Sequence, residues 1–379
     1  MDLPTELVEN IAYSLPLSDL RNFRLTCSSM RDQALHPFKD RFFRRRTITV
    51  TADSLKGLID VAGHPQIGSA LRDLVIDATP QLEKKYTDCQ RRIRDAQLDD
   101  GLRQLLDIEL RLINEDRVKL SDFAKSGQDR KLLALAFMVI GRLHSIAFAY
   151  DGFNESEAED AMYHLRRAQT EMSRPFVSTI AAIAFSGLAV EEITVQNHRR
   201  SGFVSIGKLK FSSTQYSQLR PALAHLRVLK LDLRDWLYAP ARWMVSVEIP
   251  PFVARFLSRV TELRELDLSC HIYSSRKEDV FTEIANMVRL PHLVKCTLGL
   301  ILAKEENLLR FLQASKTSLK HLTLRNCVIH VALLGNDKIP AVDLERPGLK
   351  EKILSHARGY ELSMPLPYFQ YFWDDAVRA

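Results

Sequence analysis

The sequence predicts an α/β protein: a compact N-terminal module of three helices, followed by parallel strands joined by helical crossovers in an irregular solenoid. Three observations predict it. The stretch LPTELVENIAYSLPLSDLRNFRLTCSSMRDQAL, starting at Leu3, holds three short apolar-periodic runs cut by Pro16 and by Ser28 and Ser29. Farther on, the pattern apolar-x-x-apolar-x-apolar recurs along the chain. Helix-like segments lie between the copies, so strand and helix alternate. An ordinary doubly wound α/β sheet is the alternative architecture.

In the module, Leu3, Leu7, Val8, Ile11, Ala12 and Leu15 fall on one helical stripe, and Pro4 sits where a first-turn proline needs no donor. Pro16 stops that helix. Ser18 reads as the N-cap of a second helix carrying Leu20 and Phe23, and Ser29 with Asp32 reads as a capping box for a third, ending near Leu35 before His36-Pro37. Three such helices are too few to bury a core alone, so part of their apolar surface should meet the rest of the chain or a partner.

These residues carry a family resemblance. Leu3-Pro4-Thr5-Glu6-Leu7, Ile11, Leu15, Ser18-Asp19-Leu20, Phe23-Arg24-Leu25-Thr26-Cys27 and Met30-Arg31 resemble the F-box motif position by position, with Met30 where the family usually has tryptophan. Methionine is adaptable and of similar volume, so weaker anchoring is expected there rather than its loss. The resemblance implies an F-box domain over residues 1–46 that docks a Skp-type adaptor, and through it a cullin. It maps the adaptor contacts to Leu3, Pro4, Leu7, Ile11, Leu15, Asp19, Leu20, Leu25, Cys27 and Met30. An unrelated helical cap on the following domain is the other reading.

The basic run Lys39 to Arg46 reads as a solvated helix end, with a localisation signal or a phosphate-binding patch as the alternative. Thr47 to Thr51 alternates like a strand. The triplets then follow at Leu71-Leu74-Ile76, Leu143-Ile146-Phe148, Val190-Ile193-Val195, Leu226-Leu229-Leu231, Leu263-Leu266-Leu268, Leu293-Cys296-Leu298 and Leu319-Leu322-Leu324. The last copy continues through Cys327 and Ile329, completing the leucine-rich-repeat pattern L-x-x-L-x-L-x-x-C-x-L. Helices are expected over 129–140, 176–185, 216–224, 251–260, 279–287 and 305–313. The spacing is long early and shortens toward the usual repeat length at the end.

An irregular leucine-rich-repeat domain is therefore expected over residues 47–335. Residues 81–126, densely charged but with Leu98, Leu102, Leu105, Leu106, Leu110 and Ile113 at helical spacing, read as an inserted helical excursion. The acidic stretch 151–160 reads as an exposed connection. Residues 336–379, ending in PLPYFQYFWDD, read as a tail that caps the last repeat. The layout resembles fungal F-box proteins with leucine-rich repeats.

Composition narrows the function. The chain has 379 residues, is 46% hydrophobic and carries a formal net charge of +6, but acidic and basic residues are interspersed, which argues against a nucleic-acid ligand. Five cysteines are far apart, without metal spacing, and read as reduced thiols. No leader-like run precedes Leu3 and no apolar run reaches the roughly 18 residues of a membrane span, so a cytoplasmic or nuclear protein is expected. Nucleotide-binding, zinc-protease and serine-hydrolase motifs are absent from the sequence, and Cys270-His271 would point to opposite faces of a strand. No catalytic residue, cofactor or metal is expected.

The expected function is a substrate-recognition subunit of an SCF-type cullin-RING ubiquitin ligase, in which the F-box docks the adaptor and the repeats hold a target protein. A scaffold that never joins a ligase is the alternative. Strand register puts Asp73, Asp77, Glu192, Lys230, Asp232, Glu265, Asp267, Lys295, His321 and Arg325 on the concave face. The early and middle strands lean acidic. They could receive a basic target segment, with Lys295 and Arg325 meeting an acidic group. Alternatively these are ordinary solvated strand faces, and the contacts come from the loop between Trp236 and Trp243.

Overall fold

A computed structural model describes residues 3–95, 100–150, 162–195, 203–235, 251–272 and 277–330. The chain divides into two compact units, residues 1–226 and 227–379. Their architecture is mixed α/β, with N-terminal helices and parallel strands. The expected acidic connection at 151–160, the Trp236–Trp243 loop and the 336–379 tail lie outside the described residues.

The first unit opens with α1 (Thr5–Ser14), α2 (Leu17–Thr26), α3 (Ser28–Gln33) and α4 (Leu35–Phe42). The fourth helix corrects the three-helix expectation. Pro37 lies in its first turn, where a missing N–H costs nothing, so His36-Pro37 starts a helix instead of ending one. The caps also differ. Pro16, not Ser18, precedes α2, and the Cys27 sulfur accepts from the Met30 N–H at 3.5 Å to cap α3. Ala12, Leu20, Ala34 and Phe38 form the module's core, and the Arg41 guanidinium donates to the Ala12 and Leu15 carbonyls at the end of α1.

Next come β1 (Arg45–Thr49), α5 (Ala52–Gly63), β2 (Asp73–Asp77), α6 (Gln81–Asp95), α7 (Asp100–Lys125), α8 (Gln128–Ile140), β3 (Arg142–Ala149), α9 (Met162–Ser186), β4 (Ala189–Val195), β5 (Val204–Ser205) and α10 (Ser213–Ala222). β1, β2, β3 and β4 pair in parallel and in chain order. Leu74, Ile146 and Ile193 form one buried column across the sheet, and Ile48, Ile76, Phe148 and Val195 form a second. Each such side chain gains about 1.5–3 kcal/mol on burial, which drives strands with few charges on that face to stack there. α6 and α7 pack on each other, the helical excursion expected over 81–126.

The second unit holds β6 (Val228–Asp235), α11 (Phe252–Leu257), β7 (Glu265–Ile272), α12 (Lys277–Met287), β8 (Lys295–Gly299), β9 (Leu302–Lys304), α13 (Glu305–Gln313), β10 (His321–Arg325) and β11 (Val328–His330). β6, β7, β8 and β10 are parallel and sequential, and β9 pairs with β11. Leu229, Leu266, Cys296 and Leu322 make one buried column, and Leu231, Leu268, Leu298 and Leu324 the next. Within each unit the strand order never reverses. Successive helices, α5, α8, α9 and α10 in the first unit and α11, α12 and α13 in the second, pack neighbour on neighbour. A doubly wound sheet would reverse its order at a switch point.

β8–β9 and β10–β11 are the same motif 26 residues apart. In both a non-glycine residue with positive φ follows the first strand, Leu300 at 55° and Asn326 at 53°. The next residue turns inward: Ile301 is buried, and the Cys327 thiol donates to the Leu298 carbonyl at 3.3 Å. Among the described residues no helix is long and apolar enough to cross a membrane.

Candidate functional site

In the N-terminal module the apolar residues divide sharply. Val8, Ala12 and Leu20 are fully buried, whereas Leu3, Leu7 and Ile11 on one side of α1 and Leu25 in α2 are exposed, Leu25 at 82%. The division follows from the helix period, which gives α1 a wider apolar arc than α3 and α4, the helices it packs on, can cover. Four exposed aliphatic side chains in so small a bundle form an uncovered apolar surface of the kind that a protein partner covers.

Of the residues mapped to this surface, Pro4 and Asp19 are exposed beside it, and Leu15 and Met30 are half-buried. Cys27 is exposed and its sulfur is used as the α3 cap. Leu20 differs from the rest. It is 0% exposed and belongs to the module's own core, so it supports the surface rather than forming it. Tyr13, 40% exposed on α1, was not among the expected contacts, although an aromatic outside the buried stripe is a signal readable in the sequence.

The residues expected on the strand face belong to separate units. In the first, Asp73 accepts from the Ser145 hydroxyl at 2.7 Å and lies 3.8 Å from Arg44, Asp77 accepts from the Thr79 N–H at 2.9 Å, and Glu192 accepts from the Thr194 hydroxyl at 2.9 Å. In the second, adjacent strands bring Glu265 to Lys295 at 3.1 Å and to Lys230 at 3.7 Å. Arg325 contacts both Asp267 oxygens at 2.7 Å, and Asp232 is buried with Arg234 3.9 Å away. The carboxylates of the acid-leaning strands are thus engaged by neighbours, and Lys295 and Arg325 pair with carboxylates of the same sheet. Register makes these pairs, since Glu265 stands opposite Lys295. Trp236 and Trp243 lie outside the described residues.

Burial pushes Cys270 and Cys296 far above the usual thiol range, and Cys327 is raised for the same reason. Among the described residues no group of three or more His, Cys, Asp or Glu is arranged to hold a metal ion.

The four-helix module thus leaves aliphatic side chains before and on α1 and on α2 uncovered. Residues 1–41 match the family model of the F-box domain. F-box domains generally bind Skp-type adaptors, and their presence points to an adaptor role in SCF ubiquitin ligases. No curated protein matches the chain.

Proposed function

We propose that this protein is a substrate-recognition subunit of an SCF-type cullin-RING ubiquitin ligase. The observation that carries the proposal is the F-box module at residues 1–41, with Leu3, Leu7, Ile11 and Leu25 left uncovered by its own helices. These side chains dock the Skp-type adaptor, and the adaptor brings the cullin. The strand-bearing region from residue 47 onward holds a target protein and acts as an irregular leucine-rich-repeat solenoid. Support for the repeat reading comes from the sequential parallel strands, the leucine columns and the 26-residue step between β8–β9 and β10–β11, within the usual range of about 20–29 residues.

The chain supplies no catalytic group of its own in this reading. It works in the cytoplasm or nucleus and accelerates ubiquitin transfer by holding the target near partner enzymes. Because the strand-face charges are paired among themselves, a target that reads them must offer better partners than Lys295 and Arg325 already are. Co-expression with a Skp-type adaptor and affinity capture test the proposal. Recovery of both adaptor and cullin is expected. Adaptor without cullin would leave a scaffold, and neither would overturn the reading.

A further inference from the structure

The unit formed by residues 1–226 contains a pocket of about 480 Å³ where α4 meets the N-terminal edge of the sheet. α4 lines it with His36, Lys39 and Asp40, and the sheet edge lines it with Arg44, Arg72 and His144. The three sheet residues form one row. The N–H groups of Arg72 and Asp73 donate to the Arg44 carbonyl at 2.8 and 2.9 Å, and those of His144 and Ser145 donate to the Arg72 carbonyl at 2.7 and 3.3 Å. The ladder thus begins one residue before β2, and its rows stand about 4.8 Å apart. Arg72 shares parity with Leu74 and Ile76, but it stands at the open end of their column and is exposed.

The side-by-side guanidinium groups of Arg44 and Arg72 repel, and such a pair persists more easily when counter-charge is supplied. At the ends of the row it is supplied from within. Asp40 lies 3.3 Å from Arg44, and Glu191 lies 3.3 Å from the His144 ring and also pairs with Arg142. In the middle it is not. The side chains of Arg72 and Lys39 take part in no hydrogen bond or ion pair among the described residues.

We propose that this pocket binds a small molecule carrying two or more phosphoryl groups. Arg72 offers a planar fork that matches one phosphoryl group bidentately, Lys39 offers a compact charge to a second, and the Ser69 hydroxyl adds a neutral donor. A single phosphate fills only part of the space. A polymer is disfavoured by the form of the site, a recess between one helix and one sheet edge rather than an extended basic stripe.

Calorimetric titration of the full-length chain with tripolyphosphate, at about 0.15 M ionic strength, tests this. Saturable one-to-one binding is expected. Lys39→Gln with Arg72→Gln should weaken it about tenfold or more, because charge-assisted hydrogen bonds are lost. Asp40→Asn should tighten it, an outcome that damage to the fold cannot imitate. Arg255→Gln, an exposed change in α11, should leave it unaltered. No saturable binding, equal affinity in the double variant, or tighter binding of a peptide with one phosphoserine would each overturn the proposal.

Discussion

Arg117 in α7 is a buried charge committed to the fold. Its guanidinium meets Glu83 through two hydrogen bonds, at 2.9 and 2.5 Å, with both side chains about 95% removed from solvent, and it lies 4.0 Å over the Tyr86 ring. Arg117→Ala leaves a buried carboxylate without its partner, and a loss of about 3–5 kcal/mol is expected. Removing both charges, as in Glu83→Met with Arg117→Met, should recover most of it. Urea unfolding of the two single variants and the double variant measures this, and additive losses would mean the pair is not coupled. A second residue sets a pH response. Hydrogen bonds from Arg142, and then His144, hold the Glu191 carboxyl below the usual carboxylate range. A depressed folded pKa contributes stability that is present above the unfolded value of about 4.3 and is lost as pH falls through the lower folded value. Glu191→Gln should therefore lower the melting temperature slightly at pH 7 and converge with the wild type as the pH falls through the acid limb, flattening that limb, the effect being small because the group is a third exposed. An unaltered acid limb would assign that sensitivity to other carboxylates.

The elements were legible where one residue pattern decided them. All seven apolar triplets end on observed strands, because their second and third positions are the inward pair of a period-two element flanked by helices. β1 was read as a strand but not as a repeat copy, since Arg46 stands in the column that Leu74 continues. The apolar pattern marks α9 only over 176–185, yet the helix spans Met162–Ser186 and carries Pro175 inside it. The pairs Glu265–Lys295 and Asp267–Arg325 were not legible, because they depend on register between strands 30 and 58 residues apart. One prediction belongs to the joints between elements. Gly141 and Gly187 leave α8 and α9 with φ of 70° and 69° and have open space where a Cβ would go, so alanine there meets backbone strain alone. Each substitution should cost about 1 kcal/mol, and the two should add. Gly63→Ala, at the end of α5 with open space and no positive φ, should be neutral or stabilising in the same thermal melts.

Across the whole molecule, the two classes of apolar residue in the F-box module separate folding from docking. Leu20 lies in the core with Ala12, Ala34 and Phe38, and a Leu20→Ala cavity there should cost about 2–5 kcal/mol. That would lower adaptor capture only through loss of the folded module. Leu25 contributes almost nothing to that core. Leu25→Asp should leave the melting temperature within the range of ordinary surface changes, about 0.5 kcal/mol either way. Placing a charge into an apolar interface should nevertheless weaken adaptor binding at least about tenfold, since the buried carboxylate has no partner. Leu7→Asp should behave likewise, being half exposed on α1. The comparison is made by measuring, for each variant co-expressed with the adaptor, both the melting temperature and the amount of adaptor retained after affinity capture. If Leu25→Asp and Leu7→Asp retain adaptor as the wild type does, the exposed stripe is not the docking surface. If instead they melt early, the residues are structural and the division of labour drawn from their exposure is wrong. Stable variants that lose adaptor would tie recruitment to the aliphatic stripe that the four helices leave uncovered.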